Sequence, residues 1–152
     1  MKLDLANGLL DRLKRLEIVA YGCRHGTHPP ALDRIYDCRK ARNPHHDKRL
    51  RELTGLDDPV RDEVLMSAMA RALLRQIERE VLELFETRDT VRVGVYCTGG
   101  RHRSVVIAIA LLHVFLFKGY AVQVALRDRG SWVESAKEGD DADAAGVRGA
   151  QA

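Results

Sequence analysis

The stretch VGVYCTGGRHRSVVIAIALL, residues 93 to 112, decides the fold. An apolar, β-branched run ends at Cys97, two glycines follow, and a second apolar run starts after Arg103-Ser104. The first run has the residue content of a strand and the second the length and apolarity of a helix. Glycines between them allow a tight turn with positive φ and close backbone approach. The unit is therefore strand, glycine loop, helix. First-turn amides of a helix lack intrahelical partners and the peptide dipoles add partial positive charge, so an anion belongs at that end. Thr98, Gly99, Gly100, Arg103 and Ser104 supply hydroxyls, open backbone and a guanidinium fork, an inventory suited to a phosphoryl group.

Working outward, Leu16 to Tyr21 reads as a strand ended by Gly22, and Arg34 to Cys38 as a second. The CRHGTHPP segment between them reads as loop, because glycine and paired prolines exclude regular structure. Residues 39 to 57 read as a long ordered loop or short helical turns. Asp58-Pro59 looks like an N-cap with proline at the first helical position. From there apolar residues recur at three- and four-residue steps from Val60 to Phe85, the stripe of one long amphipathic helix. Val91 to Tyr96 is the third strand. Ser104 to Lys118 is a helix apolar almost all round, hence expected to be deeply buried, with Gly119 at C′. Tyr120 to Leu126 is the fourth strand. A short helix over residues 3 to 15 is also expected.

Strands alternating with helices imply right-handed crossovers and a parallel sheet. The expected fold is α/β, a small Rossmann-like three-layer domain with a mostly parallel sheet of about four strands, over residues 1 to 132. Residues 133 to 152 are expected to form an acidic, disordered tail, since residues 134 to 152 carry five acids against two bases and little apolar content. The formal net charge of +3 thus understates the basicity of the remaining chain. Ligands of such sheets bind at the carboxyl ends of the strands, where Cys97 to Arg103 lies.

The longest apolar run, Val105 to Phe117, falls short of the ~20 residues of a membrane span, and the N-terminus has no long apolar segment of a secretory signal. A cytoplasmic protein without membrane association is expected. Three widely spaced cysteines, Cys23, Cys38 and Cys97, argue for free thiols. Cys23, His25, His28, Cys38, His45 and His46 match no strong zinc spacing, so neither metal nor cofactor is expected.

Cys97, five residues, then Arg103-Ser104 is the spacing of the cysteine-dependent phosphatase signature, in which thiolate attacks phosphorus and arginine holds the equatorial oxygens. Cys97 and Arg103 would be the catalytic pair of that alternative. Tyr96 stands where those phosphatases usually carry histidine, and no loop announces a general-acid aspartate.

CTGGRHRSV (97 to 105) also resembles the CTGG-x-HRSV segment of the RapZ family of RNase adapter proteins, in its C-terminal domain. YGCRHG (21 to 26) resembles that family's FGFK-x-G, DCR (37 to 39) its DVR, NPH (43 to 45) its NPH, and LTGLDDPV (53 to 60) its LTG-x-D-x-PV. The resemblance spans about residues 16 to 128 and identifies the chain as a stand-alone homologue of that domain.

The resemblance implies a regulatory α/β module, not an enzyme, that senses glucosamine-6-phosphate or a related phosphorylated metabolite. It implies ligand contacts from Thr98, Gly99, Gly100, Arg103 and Ser104, from His45 on the facing loop, and from Asp37, Arg39 and Asn43 nearby, with Asp37 offered to a sugar amine or hydroxyl. Enterobacterial members also bind small RNAs and present them to an RNase, and family members assemble through this domain, so RNA, an RNase and a homodimeric partner are further expectations. Arg101, Lys118, Arg127 and Arg129 are the possible RNA contacts. No GxxxxGK[ST] segment occurs in the 152 residues, so nucleotide hydrolysis is not expected of them. RNA-binding members end in a basic tail, whereas the acidic residues near the end of this sequence would repel phosphates.

Overall fold

The computed structural model describes residues 13 to 132. Four strands, β1 (Arg15–Gly22), β2 (Arg34–Asp37), β3 (Thr90–Cys97) and β4 (Ala121–Leu126), form one sheet in the order β2-β3-β1-β4, every neighbouring pair parallel. In register, Gly22 lies opposite Cys97 and Asp37 opposite Tyr96, so the strands end together at one edge.

Among the described residues the sheet is joined by four α-helices: α1 (Lys48–Arg51), α2 (Asp58–Met66), α3 (Ala68–Phe85) and α4 (Arg103–Phe117). Because side chains alternate along a strand, Leu16, Ile18 and Ala20 of β1 and Val91, Val93 and Val95 of β3 share one face. They form the core with Val60 and Val64 of α2, Ile77, Val81 and Phe85 of α3, and Ile107, Leu111 and Phe115 of α4.

The opposite face is covered by the loop from β1 to β2. Tyr21 stacks on Tyr96 with ring centroids 5.6 Å apart, and His28 packs edge-on against both. Gly94 admits Leu32, whose Cδ1 would lie 2.6 Å from a Cβ built on that glycine. The layers are thus helices, sheet and loop.

Several boundaries differ from expectation. The amphipathic stripe after residue 58 is two helices, broken at Ser67, whose extended backbone (ψ 123°) and hydroxyl cap α3 by accepting from the Ala70 amide. A serine side chain offers the backbone this alternative to continued helix. The cap of α2 is Asp57, one residue early, and its carboxylate accepts from the Thr54 amide at 2.7 Å, fixing the preceding turn. The loop after β1 begins with a 3-10 turn over Cys23–His25, and a second such turn covers Pro44–His46.

Helix α4 is buried over its first half, but Leu116 is 49% and Phe117 95% exposed, because none of the described elements covers its outer end. Gly119 takes φ 89°, with the Gly119 and Tyr120 amides bonding back to Leu116 and Phe115 carbonyls, the expected glycine cap. Arg15 belongs to β1 and not to an N-terminal helix; residues 3 to 12, like the tail from 133, lie outside the described residues. Among the described residues no helix is long and apolar enough to cross a membrane.

Candidate functional site

The site grows from the end of β3. After Cys97 the chain turns through residues 98 to 102 into α4, and contacts from both sides hold that turn. On the β1 side, Gly100 takes φ 67° and its backbone presses on Gly22, so that a Cβ on Gly100 would lie 2.4 Å from the Gly22 nitrogen. A Cβ on Gly22 would in turn lie 2.5 Å from the Gly99 carbonyl carbon. Only paired glycines let these two strand ends touch. The Arg24 amide donates to the Thr98 carbonyl at 3.2 Å.

On the other side, the segment before α2 clamps the helix start. The Gly55 amide donates to the Arg101 carbonyl at 2.8 Å, and the His102 Nε2 meets the Leu53 carbonyl at 2.7 Å. Arg101 donates to the carbonyls of Leu53 at 3.1 Å and Trp132 at 3.0 Å, and to that of Glu52. Trp132 Nε1 donates to the Gly100 carbonyl at 3.3 Å.

Between these supports lies a cavity of about 210 Å³, open at the N-terminus of α4. Its lining residues include Arg24, Arg51, Arg101 and Arg103 and a single acidic residue, Glu52. Two imidazoles, His45 and His102, stand with ring centroids 6.4 Å apart. Burial pushes His102 down to about 4 and also lowers His45, where the Arg51 charge adds to the effect. Both rings are therefore neutral near pH 7, His102 donating its Nε2 proton to Leu53. The four guanidinium groups and the helix end make the cavity electropositive, a chemistry suited to a small anion.

Of the residues expected to meet a ligand, Thr98, Gly99, Arg103, His45 and Asn43 line this cavity. Asn43 caps the facing 3-10 turn, its Oδ1 accepting from the His45 amide at 3.2 Å, which sets His45 in place. Arg103 is anchored by donation to the Arg39 carbonyl at 2.7 Å. Gly100 and Ser104 lie beneath the lining: Gly100 shapes the turn, and wholly buried Ser104 sits with its Oγ 3.2 Å from Cys97 Sγ.

Asp37 and Arg39 are not lining residues. They pair with each other at 2.8 Å, an interaction that holds the Asp37 carboxyl below the usual carboxylate range, and Arg39 lies over the Tyr96 ring. Their strand, β2, is the edge beyond β3, and residue 37 points to the loop-covered face.

Of the four basic residues expected as RNA contacts, Arg101, Arg127 and Arg129 lie around the glycine turn and Trp132, while Lys118 stands apart. Arg101 is bound to carbonyls inside the site. Arg127 donates to the Thr27 and Gly22 carbonyls and covers Tyr21, Arg129 lies over Trp132, and Lys118 pairs with Glu78 at the far end of α4. Sequence reasoning did not select Arg24, Arg51, Glu52 or His102 for the site. Arg24 had a visible signal in YGCRHG, two residues past a strand that ends beside Cys97. Among the described residues no three His, Cys, Asp or Glu side chains group as metal ligands.

The RapZ C-terminal domain family model matches residues 14–130. A protein of Heliobacterium modesticaldum named "Nucleotide-binding protein" is 37% identical over 119 residues, covering 75% of this chain and 39% of its own length. Proteins of the same name from Thermobifida fusca and Rubrobacter xylanophilus are 38% and 40% identical, over 76% and 68% of this chain. The chain spans about two fifths of the length of these relatives, 35% to 41%. The match takes in every element from β1 to β4, including the glycine turn and its clamp, and on that extent the chain belongs to the RapZ C-terminal domain family.

Proposed function

We propose that this domain is a regulatory binding module for a small phosphorylated ligand, an amino-sugar phosphate such as glucosamine-6-phosphate. The observation that carries this reading is the cavity at the start of α4, lined by Arg24, Arg103 and the glycine-bounded loop at a helix N-terminus. The phosphate sits against Thr98, Gly99 and Arg103, with the neutral His45 and His102 available as donors or acceptors to sugar hydroxyls. An amine on the ligand meets Glu52, the carboxylate of the lining, rather than Asp37, which is engaged with Arg39.

Isothermal titration with glucosamine-6-phosphate, glucosamine, glucose-6-phosphate, inorganic phosphate and a nucleoside monophosphate tests the reading. Micromolar binding that needs both the phosphate and the amine is expected, with loss of that binding in Arg103→Ala. Heat from the nucleotide alone would replace the sugar by a nucleotide, in keeping with the relatives' name. No heat from any of the five would overturn the reading. RNA association belongs to the same proposal as a second partner class. It predicts affinity that falls steeply with salt, and RNA binding that is undetectable or indifferent to salt would remove it.

A cysteine-dependent phosphatase is the second reading, favoured by one contact: Cys97 is a lining residue of the cavity, and its Sγ has Ser104 Oγ at 3.2 Å, a hydroxyl able to stabilise a thiolate. Steady hydrolysis of an aryl phosphate that disappears in Cys97→Ser would establish it.

A further inference from the structure

Two cysteines that neither reading requires as a pair lie side by side beneath the cavity. Strands β2 and β3 are parallel with Asp37 opposite Tyr96, and the Cys38 amide donates to the Tyr96 carbonyl at 2.8 Å, so the ladder continues one residue past the end of β2. That places Cys38 beside Cys97. Neighbouring strands run ~4.8 Å apart, within the ~4.4–6.8 Å separation of Cα atoms that a disulfide spans.

Alternation also puts the two side chains on one face. Asp37 and Tyr96 point to the loop-covered side, while Cys38 and Cys97 both belong to the helix-side core. Burial, and next the nearness of Cys97, push the Cys38 thiol well up. Of the two, only Cys97 is among the residues that line the cavity, so an oxidant entering there reaches Cys97 before Cys38. Cys23 lies in the turn beyond β1 and is only partly buried.

We infer that Cys38 and Cys97 are an oxidisable pair, a modification site in the floor of the cavity that closes to a reversible disulfide under hydrogen peroxide. In the first step the Cys97 sulfur attacks one peroxide oxygen, the O–O bond breaks, and the other oxygen leaves as water with the thiol proton. The sulfenic acid that results has gained one S–O bond. In the second step the Cys38 sulfur attacks the Cys97 sulfur, the S–O bond breaks, and the hydroxyl leaves as a second water with the Cys38 proton. Two thiols are oxidised and one peroxide is reduced to two waters. Closing the bond draws the Cys97 sulfur toward β2 and away from Ser104. The pairing stands on strand register and is independent of which anion the cavity holds.

Peptide mass mapping of the native protein tests this without any variant. The protein is exposed to hydrogen peroxide, its free thiols are blocked, and it is digested with trypsin without reductant. Cleavage after arginine releases Cys38 in IYDCR (35 to 39), Cys97 in VGVYCTGGR (93 to 101) and Cys23 in LEIVAYGCR (16 to 24). The expected product is a cross-link between the first two peptides, found in monomeric protein, reversed by dithiothreitol, with Cys23 blocked as a free thiol. Three results would overturn the inference: oxidation of Cys97 to its sulfinic acid with Cys38 still free, a cross-link that involves Cys23 or two chains, or three thiols that stay reduced. As a second measurement, Cys38→Ala should convert the disulfide into over-oxidised Cys97, since the resolving thiol is gone.

Discussion

The two ends of α4 are built from the same apolar sequence and end differently. At the N-terminal end, Arg103 to Ala108 are all buried and the preceding glycine turn is pinned between β1 and the segment before α2. At the C-terminal end Phe117 is 95% exposed and Lys118 reaches out to Glu78. Each end carries a glycine with positive φ, Gly100 at 67° and Gly119 at 89°. A Cβ at Gly100 would strike β1, while one at Gly119 would meet nothing within 4 Å. Helical apolarity therefore does not decide burial here; the neighbours supplied by the sheet edge do. The buried end is also the electropositive one, so packing and ligand chemistry converge on the same turn.

Paired substitutions test the contrast most severely. Gly100→Ala should cost about 2–5 kcal/mol, the sum of left-handed strain and overpacking against Gly22, whereas Gly119→Ala should cost only about 1–2 kcal/mol from strain alone. Urea unfolding of both variants measures this, and equal losses would break the contrast.

Next in size is a pH effect confined to the buried end. His102 is neutral in the folded chain because burial lowers it to about 4, while the unfolded residue titrates near 6.5. Between those values the unfolded state binds more protons, so the His102 contribution is complete above pH ~6.5 and lost as pH falls towards 4. Over that window the loss is roughly 3 kcal/mol. Unfolding curves at pH 7.5 and 5 should show about 2 kcal/mol of it, and His102→Gln should flatten the slope.

Arg24→Ala separates ligand chemistry from packing. Loss of one charge-assisted hydrogen bond, ~1.5–3 kcal/mol, corresponds to about 10- to 100-fold weaker phosphate binding, with folding stability changed by less than ~0.5 kcal/mol. Titration calorimetry beside urea unfolding reads both, and a stability loss that matches the binding loss would make Arg24 a structural residue. The smallest effect belongs to the exposed end: Phe117→Ala should move the stability of the monomer by no more than ~0.5 kcal/mol. A larger loss would mean that this end is covered in solution.

Much of this was legible locally. The four strands, the helix after the glycine loop and the Gly119 cap follow from residue content, because β-branched runs, glycine and helical apolar spacing act over a few neighbours. The break at Ser67 was not, because the apolar stripe continues across it while the hydroxyl caps a new helix. In the site, Thr98, Gly99 and Arg103 were readable from the loop itself. Where Asp37 points was not legible, because side-chain direction depends on strand register: one residue further along, Cys38 faces the helix-side core while Asp37 faces the loop.

The amino-acid sequence by itself determined the α/β class, the order of elements and the family, since these rest on periodicity and motif residues that neighbours in the chain supply. Tertiary structure alone decided which charges share the cavity. Arg24 follows β1, Arg51 ends α1, and Arg103 opens α4, and they meet because parallel strands in register bring β1 and β3 to one edge while Leu53 and Gly55 clamp the helix start. The same register sets Cys38 beside Cys97, two residues 59 positions apart in the chain. Such proximity is a property of the assembled sheet, in which hydrogen bonds and apolar packing fix distances that no local spacing encodes.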